Sequence, residues 1–136
     1  MATINPTPVS ANAAVMAESD HRLVAASRVQ GTAVYDRADA RLGTVEDVMI
    51  DKRSGQVAFA VMSFGGFLGL GEEHHPLPWG VLTYDTRLGG YVADLSKEQL
   101  EGAPRYAPTA ATALSDDEGR RVYDYYKQRP LYLEYS

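Results

Sequence analysis

The chain of 136 residues has no cysteine, which excludes disulfides, zinc–thiolate sites, iron–sulfur clusters and thiol nucleophiles. No apolar run approaches the roughly 18 residues that a membrane-spanning helix needs. The first 21 residues contain no lysine or arginine, so the basic start of a secretory signal is missing and a cytoplasmic location is expected. Nor does any stretch concentrate basic residues. Residues 22–106 hold nine basic and eleven acidic side chains, a net of −2, and the whole chain carries −5. Phosphate contacts need a local positive excess, so nucleic acid is not an expected partner. There are three histidines, one near the start and two adjacent, which leaves general acid–base chemistry few candidates.

What the chain does have is apolar bulk: 45% of its residues are hydrophobic. A chain of this length buries about two-thirds of its unfolded surface, enough for one core and tails. Residues 1–20 are Ala, Pro, Ser, Thr and Asn with few large apolar groups, and read as a mobile leader. From Leu23 to Leu95 the sequence turns rich in Val, Tyr and Phe, punctuated by Asp and Gly. Asp36-Arg37-Ala38-Asp39-Ala40, Asp51-Lys52-Arg53-Ser54-Gly55 and Asp85-Thr86-Arg87-Leu88-Gly89-Gly90 are short hairpin-type turns, in which Asp starts the turn and Gly supplies a positive φ. The pattern predicts an all-β core, a small and mostly antiparallel barrel of five to six strands.

Two details refine that prediction. Val45 is at an odd position whereas Val48 and Ile50 are at even ones, so alternation breaks near Glu46 and Asp47 and a β-bulge is expected there. Residues 56–64 place Val57, Phe59 and Val61 on one face and Ala58, Ala60, Met62 and Phe64 on the other. A strand apolar on both faces is covered on both, and a small barrel supplies only the inner cover. The outer cover must be a helix, a tail or another chain. Two helices are predicted. Ser96 caps a short one that stops at Gly102 and Pro104. Ser115-Asp116-Asp117-Glu118 is a capping box for a second, running to about Gln128 before Pro130, with Val122 and Tyr126 on one face. An extended, tyrosine-rich arm follows.

Several segments invite a chemical role. Gly65-Gly66-Phe67-Leu68-Gly69-Leu70-Gly71 lacks the closing Gly-Lys-Ser/Thr of a phosphate loop, and Glu72 and Glu73 follow at once. Its large apolar residues Phe67, Leu68 and Leu70 fit a contact surface on a loop tip better. Glu72-Glu73-His74-His75 offers ligand types for a metal ion, but an extended backbone sends the two imidazoles to opposite faces. Asp36, Asp39, Asp47 and Asp51 do not match a calcium loop, and there is no G-x-S-x-G nucleophile motif. Trp79 follows Pro76-Leu77-Pro78, whose prolines confine that strand to an edge. There it is either a core plug or a partner anchor.

Gly31-Thr32-Ala33-Val34-Tyr35-Asp36 and Leu42-Gly43-Thr44-Val45-Glu46-Asp47-Val48-Met49-Ile50-Asp51 resemble the opening of a PRC-barrel domain. The likeness continues through Val61-Met62-Ser63-Phe64 and the glycine-rich run, and closes with Pro76-Leu77-Pro78-Trp79, Gly90-Tyr91-Val92 and Leu100-Glu101-Gly102-Ala103-Pro104. The resemblance covers about residues 22–106 and implies a small antiparallel barrel that docks proteins rather than catalyses. The family includes the cytoplasmic part of the photosynthetic reaction-centre H subunit and a ribosome maturation factor. The membrane anchor of the first and the preceding domain of the second have no counterpart in this sequence, so neither role is expected.

The chain is thus read as a leader (1–21), a PRC-barrel domain (22–106) and a linker, helix and arm (107–136). The expected function is a non-enzymatic interaction or scaffold module without catalytic residues, metal or cofactor. Its expected partners are a second copy of itself and another protein, with no nucleic acid and no stable membrane insertion. Phe64, Phe67, Leu68, Leu70, Trp79, Tyr123, Tyr126 and Tyr132 are the expected contact residues. The alternatives are a small-molecule or metal-ion barrel using Glu72 to His75, and a peripheral membrane-associated electron-transport accessory.

Overall fold

The computed structural model describes residues 22–64, 73–105 and 114–134. A single helical turn, α1 (Ala26–Val29), precedes β1 (Ala33–Tyr35), β2 (Arg41–Ile50), β3 (Val57–Phe64) and β4 (Glu73–Pro78). A 3-10 turn at Trp79–Val81 leads into β5 (Leu82–Asp85) and β6 (Gly90–Ala93). Two helices follow, α2 (Lys97–Glu101) and α3 (Asp116–Tyr125), and a last 3-10 turn spans Leu131–Glu134.

The six strands form one sheet in the order β4-β3-β2-β1-β6-β5. Only β1 and β6 run parallel; every other pair is antiparallel. The two outermost strands, β4 and β5, are consecutive in sequence and joined by the three residues of the 3-10 turn. In a flat sheet with strands about 4.8 Å apart, the outer strands would lie about 24 Å from each other. A connection of that length reaches at most about 14 Å. The sheet therefore curls into a half-barrel.

Bulges supply the curvature. Val45 faces Met62 and Asp47 faces Val61, so Glu46 is an extra residue on β2, where the broken alternation of the sequence predicts one. Leu42 is a second, between the pairs Val34–Gly43 and Tyr35–Arg41. Ala58 is a third, on β3, between Met49–Phe59 and Ile50–Val57. Gly43 sits where β2 approaches β3 so closely that a Cβ would lie 2.0 Å from the Ser63 carbonyl oxygen. The turns are closed by the predicted aspartates. Asp36 accepts from the backbone of Ala38 and Ala40 at 2.8 and 2.9 Å, and Asp51 from Ser54 N and Oγ at 2.8 and 2.6 Å.

Along β3, Ala58 to Ser63 are all buried, and the outer cover is the chain's own C-terminal arm. Phe59 meets the rings of Tyr123 and Tyr132 edge-on, at 5.2 and 5.7 Å between centroids. The bulge gives Ala58 no partner on β2, and the pairing with β4 begins only at Phe59. The orphaned Ala58 carbonyl accepts from Tyr123 Oη at 2.6 Å instead. One phenol thus satisfies the backbone that the bulge frees. Gly119 on α3 lets the arm fold back, because a Cβ there would lie 2.4 Å from Tyr132 Oη.

Both helices carry complete capping boxes, Ser96 with Gln99 and Ser115 with Glu118. The bonds from Ser115, backbone first, hold the Glu118 carboxyl below its usual range. Helix α3 ends at Tyr125, three residues before the predicted Gln128. Lys127 adopts the left-handed region at φ 57°. Its N–H donates to Asp124 O at 3.0 Å, and Gln128 N–H to Tyr123 O at 2.8 Å, a Schellman closure with lysine where glycine is usual. The arm after Pro130 turns as a 3-10 helix rather than running extended.

Candidate functional site

Strand β5 is the ridge between two concave surfaces. On one side is a groove of about 570 Å³, walled by Leu23, Val24, Val29, Trp79, Leu82 and Tyr91, with Arg22 and Arg28 also on its lining. On the other is a cleft of about 880 Å³ where Thr83 and Asp85 of β5 face the end of α3. Tyr84 and Thr86 line both. Strand alternation accounts for this: Leu82 and Tyr84 share one face, Thr83 and Asp85 the other.

The groove is built on aromatic packing. The Trp79 ring lies 5.6 Å from Tyr91, and Tyr84 lies 5.3 Å from the same ring, both edge-on. Trp79 is half-buried, while Leu23 is 90% and Val24 51% exposed. The cleft is polar. Arg87 donates to both carboxylate oxygens of Asp39 at 3.1 Å and to Asp85 at 3.4 Å. This guanidinium holds the Asp39 carboxyl below its ordinary range. Arg37 and Asp94 lie 3.7 Å apart, both well exposed, a geometry that contributes little on its own.

The expected contact residues divide into four sets. Trp79 lines the groove. Tyr123 and Tyr126 are each 7% exposed and, with Tyr132, lie in or against the core. Burial pushes the Tyr123 hydroxyl up to about 12. Phe64, at the end of β3, is half-buried and meets the His75 ring at 5.7 Å. Phe67, Leu68, Leu70 and Glu72 lie outside the described residues.

His75 is fully buried, and neither ring nitrogen has a hydrogen-bond partner among the described residues. Its Nε2 stands 3.8 Å from a Glu73 carboxylate oxygen, which is itself held by Arg105. Burial, the largest effect, lowers the imidazole's pKa, opposed first by the nearby Pro104 backbone carbonyl and less by the Glu73 charge. His74 points to the other face of the strand, so the two imidazoles do not converge on one ion. Among the described residues no group of three or more His, Asp or Glu side chains is placed to hold a metal, and no helix is long and apolar enough to cross a membrane.

Leu23, Val24, Leu82, Tyr84 and Tyr91 stand in no motif that marks a site in the sequence. The alternation of Leu82 and Tyr84 with Thr83 and Asp85 was a usable signal for β5. Nothing local announces that Leu23 and Val24 reach the same groove, nor that Asp39 and Arg87, 48 residues apart, tie two turns together.

The curled sheet closed by a helical arm defines a small β-barrel module. A family model for the PRC-barrel domain matches residues 21–100, and the chain belongs to that family, which is not an enzymatic one. Among solved structures it is similar to RimM, a 16S ribosomal RNA processing protein from Pseudomonas aeruginosa, at 19% identity and a TM-score of 0.36. That match covers 59% of this chain and 48% of the other, so the chain spans about half that protein's length. A likeness so remote carries no functional information. A search of curated protein sequences gave no match.

Proposed function

We propose that this PRC-barrel protein is a non-enzymatic interaction module that self-associates and also holds a second protein, without cofactor or nucleic acid. The observation supporting this reading is the groove beside β5, which sets a half-buried tryptophan among exposed apolar side chains. Large aromatic groups ringed by apolar residues are the usual anchors of protein interfaces. Tyr123, Tyr126 and Tyr132 serve the module by closing the barrel. Phe67, Leu68 and Leu70 are assigned to the second protein, as large apolar side chains set between glycines.

Light scattering over a concentration series tests the first part: mass is expected to rise towards twice the monomer, and a monomer at high micromolar concentration removes self-association. Affinity capture at native expression tests the second. The double variant Phe67→Ser, Leu68→Ser is expected to lose one partner that the wild type retains, and unchanged recovery removes the loop tip from the reading.

A further inference from the structure

We propose that residues 11–18 of this chain dock into the groove beside β5, with Val15 and Met16 against Trp79 and Leu82, so that the free chain covers its own docking surface. The proposal rests on the reading of that groove as a docking surface and adds what fills it when no partner is bound.

The groove carries apolar surface that the described chain leaves uncovered. Leu23 is 90% and Val24 51% exposed, and both stand on its lining with Val29, Trp79 and Leu82. Exposed apolar side chains gathered in one concave place mark a contact surface. A volume of about 570 Å³ takes a few side chains at a time.

The position of the groove names its occupant. The described chain begins at Arg22, on the lining itself, and 21 residues precede it. Val15 and Met16 are the large apolar residues of that stretch nearest to the groove, seven and six positions before Arg22. Seven residues span at most about 25 Å, enough to turn back and lie along the groove. Ala11, Ala13, Ala14 and Ala17 flank the pair, so no other bulk competes for the space. Methionine also adapts to apolar gaps of irregular shape.

Charge favours the same occupant. The charged residues of the lining are Arg22 and Arg28. Both are exposed, and neither is ion-paired among the described residues. Residues 1–21 hold no lysine or arginine, and their acidic side chains are Glu18 and Asp20. Glu18, two positions beyond Met16, thus meets arginine rather than a like charge. Tethering then decides between this segment and a second copy. A short linker gives the segment an effective concentration in the millimolar range. A second copy at micromolar concentration must also overcome the repulsion between two chains of net charge −5.

The test uses the full chain, whose lack of cysteine lets a nitroxide be placed at one chosen position. With the label on Ala14→Cys, the Trp79 indole signal and the amide signals of residues 79–83 are expected to lose most of their intensity. Adding Val15→Asp and Met16→Asp, which alter no described residue, is expected to restore them. In the unlabelled chain the same two substitutions are expected to shift Trp79 emission to the red. Groove signals that keep their intensity beside the label overturn the proposal, as does an emission that the double substitution leaves in place. Labelled chains mixed with unlabelled, isotope-enriched ones separate the two sources of the segment. Broadening that passes fully to the unlabelled copies assigns the groove to a second copy and overturns docking within one chain. Light scattering keeps the outcome apart from self-association. A monomer at high micromolar concentration with broadened groove signals supports the docking and removes self-association, and a dimer with sharp groove signals does the reverse.

Discussion

The two regions that matter most here are β3 and β5, one covered by its own chain and the other ending the sheet, with no strand beyond it among the described residues. Strand β3 is apolar on both faces, and the arm supplies the outer cover with Tyr123 and Tyr132 on Phe59. Strand β5 is apolar on one face only, and its groove face includes Tyr84, 39% exposed. Both strands have surface to hide, but β3 hides it by folding. The comparison predicts a separation of effects: substitutions around β3 lower the stability of the monomer, whereas substitutions at β5 change association and leave the monomer's stability nearly untouched.

The largest expected effect is at Phe59. Phe59→Ala removes a 3% exposed ring and the two edge-on contacts that seat the arm. Core truncations of this size cost about 3–5 kcal/mol. Urea unfolding is expected to show an unfolding free energy lowered by that amount, with the midpoint falling in proportion. If the dimerisation of the folded variant also weakens tenfold, the arm and the β5 groove are coupled and the separation fails.

Gly119→Ala comes next. The added methyl group would overlap Tyr132 Oη and touch the Phe59 ring at 3.4 Å. The ring is held by the core, so the turn at Leu131–Glu134 has to shift, at an expected cost of about 1–3 kcal/mol. A loss of near-ultraviolet circular dichroism from the tyrosines, with far-ultraviolet signal kept, is the expected signature. An unchanged near-ultraviolet spectrum would show that Tyr132 does not seat the arm.

The third variant isolates one hydrogen bond. Tyr123→Phe keeps the packing on Phe59 and leaves the Ala58 carbonyl buried without its donor, which costs about 1–3 kcal/mol. A water reaching that carbonyl would cut the loss to a few tenths, and the measured value distinguishes the two cases.

How much of this was legible beforehand follows from the range of each interaction. The turns at Asp36, Asp51 and Asp85 and both capping serines were legible because their bonds close within four residues. The bulge at Glu46 was legible because it shifts the apolar positions of its own strand. The bulge at Ala58 was not: both faces of β3 are apolar, so slipping by one residue leaves no trace in the pattern. The end of α3 was overestimated because Lys127, a residue with a Cβ, takes a backbone conformation that favours glycine. The groove was hidden for another reason. Its walls come from residues 22–32 and 79–91, and only the curling of the sheet brings them together.

The smallest effect expected is a pH dependence, which separates the same two regions without any substitution at either. His75 is buried beside Phe64, and burial lowers its pKa from the ordinary value near 6.5. Above that value the imidazole is neutral in both the folded and the unfolded chain, and it contributes no slope. As pH falls below it, the unfolded chain takes up a proton before the folded one does, so folding stability declines. The decline ends once the lowered folded pKa is passed. Stability measured from pH 7 down to about 5, before the carboxylates titrate, is expected to fall in wild type and to stay flat in His75→Phe. Strand β5 and the 3-10 turn before it contain no histidine, so dimerisation through the groove beside them is expected to hold constant over the same range. A dissociation constant that followed the stability would mean that the β3 and β5 regions unfold together, and the distinction drawn between them would have to be abandoned.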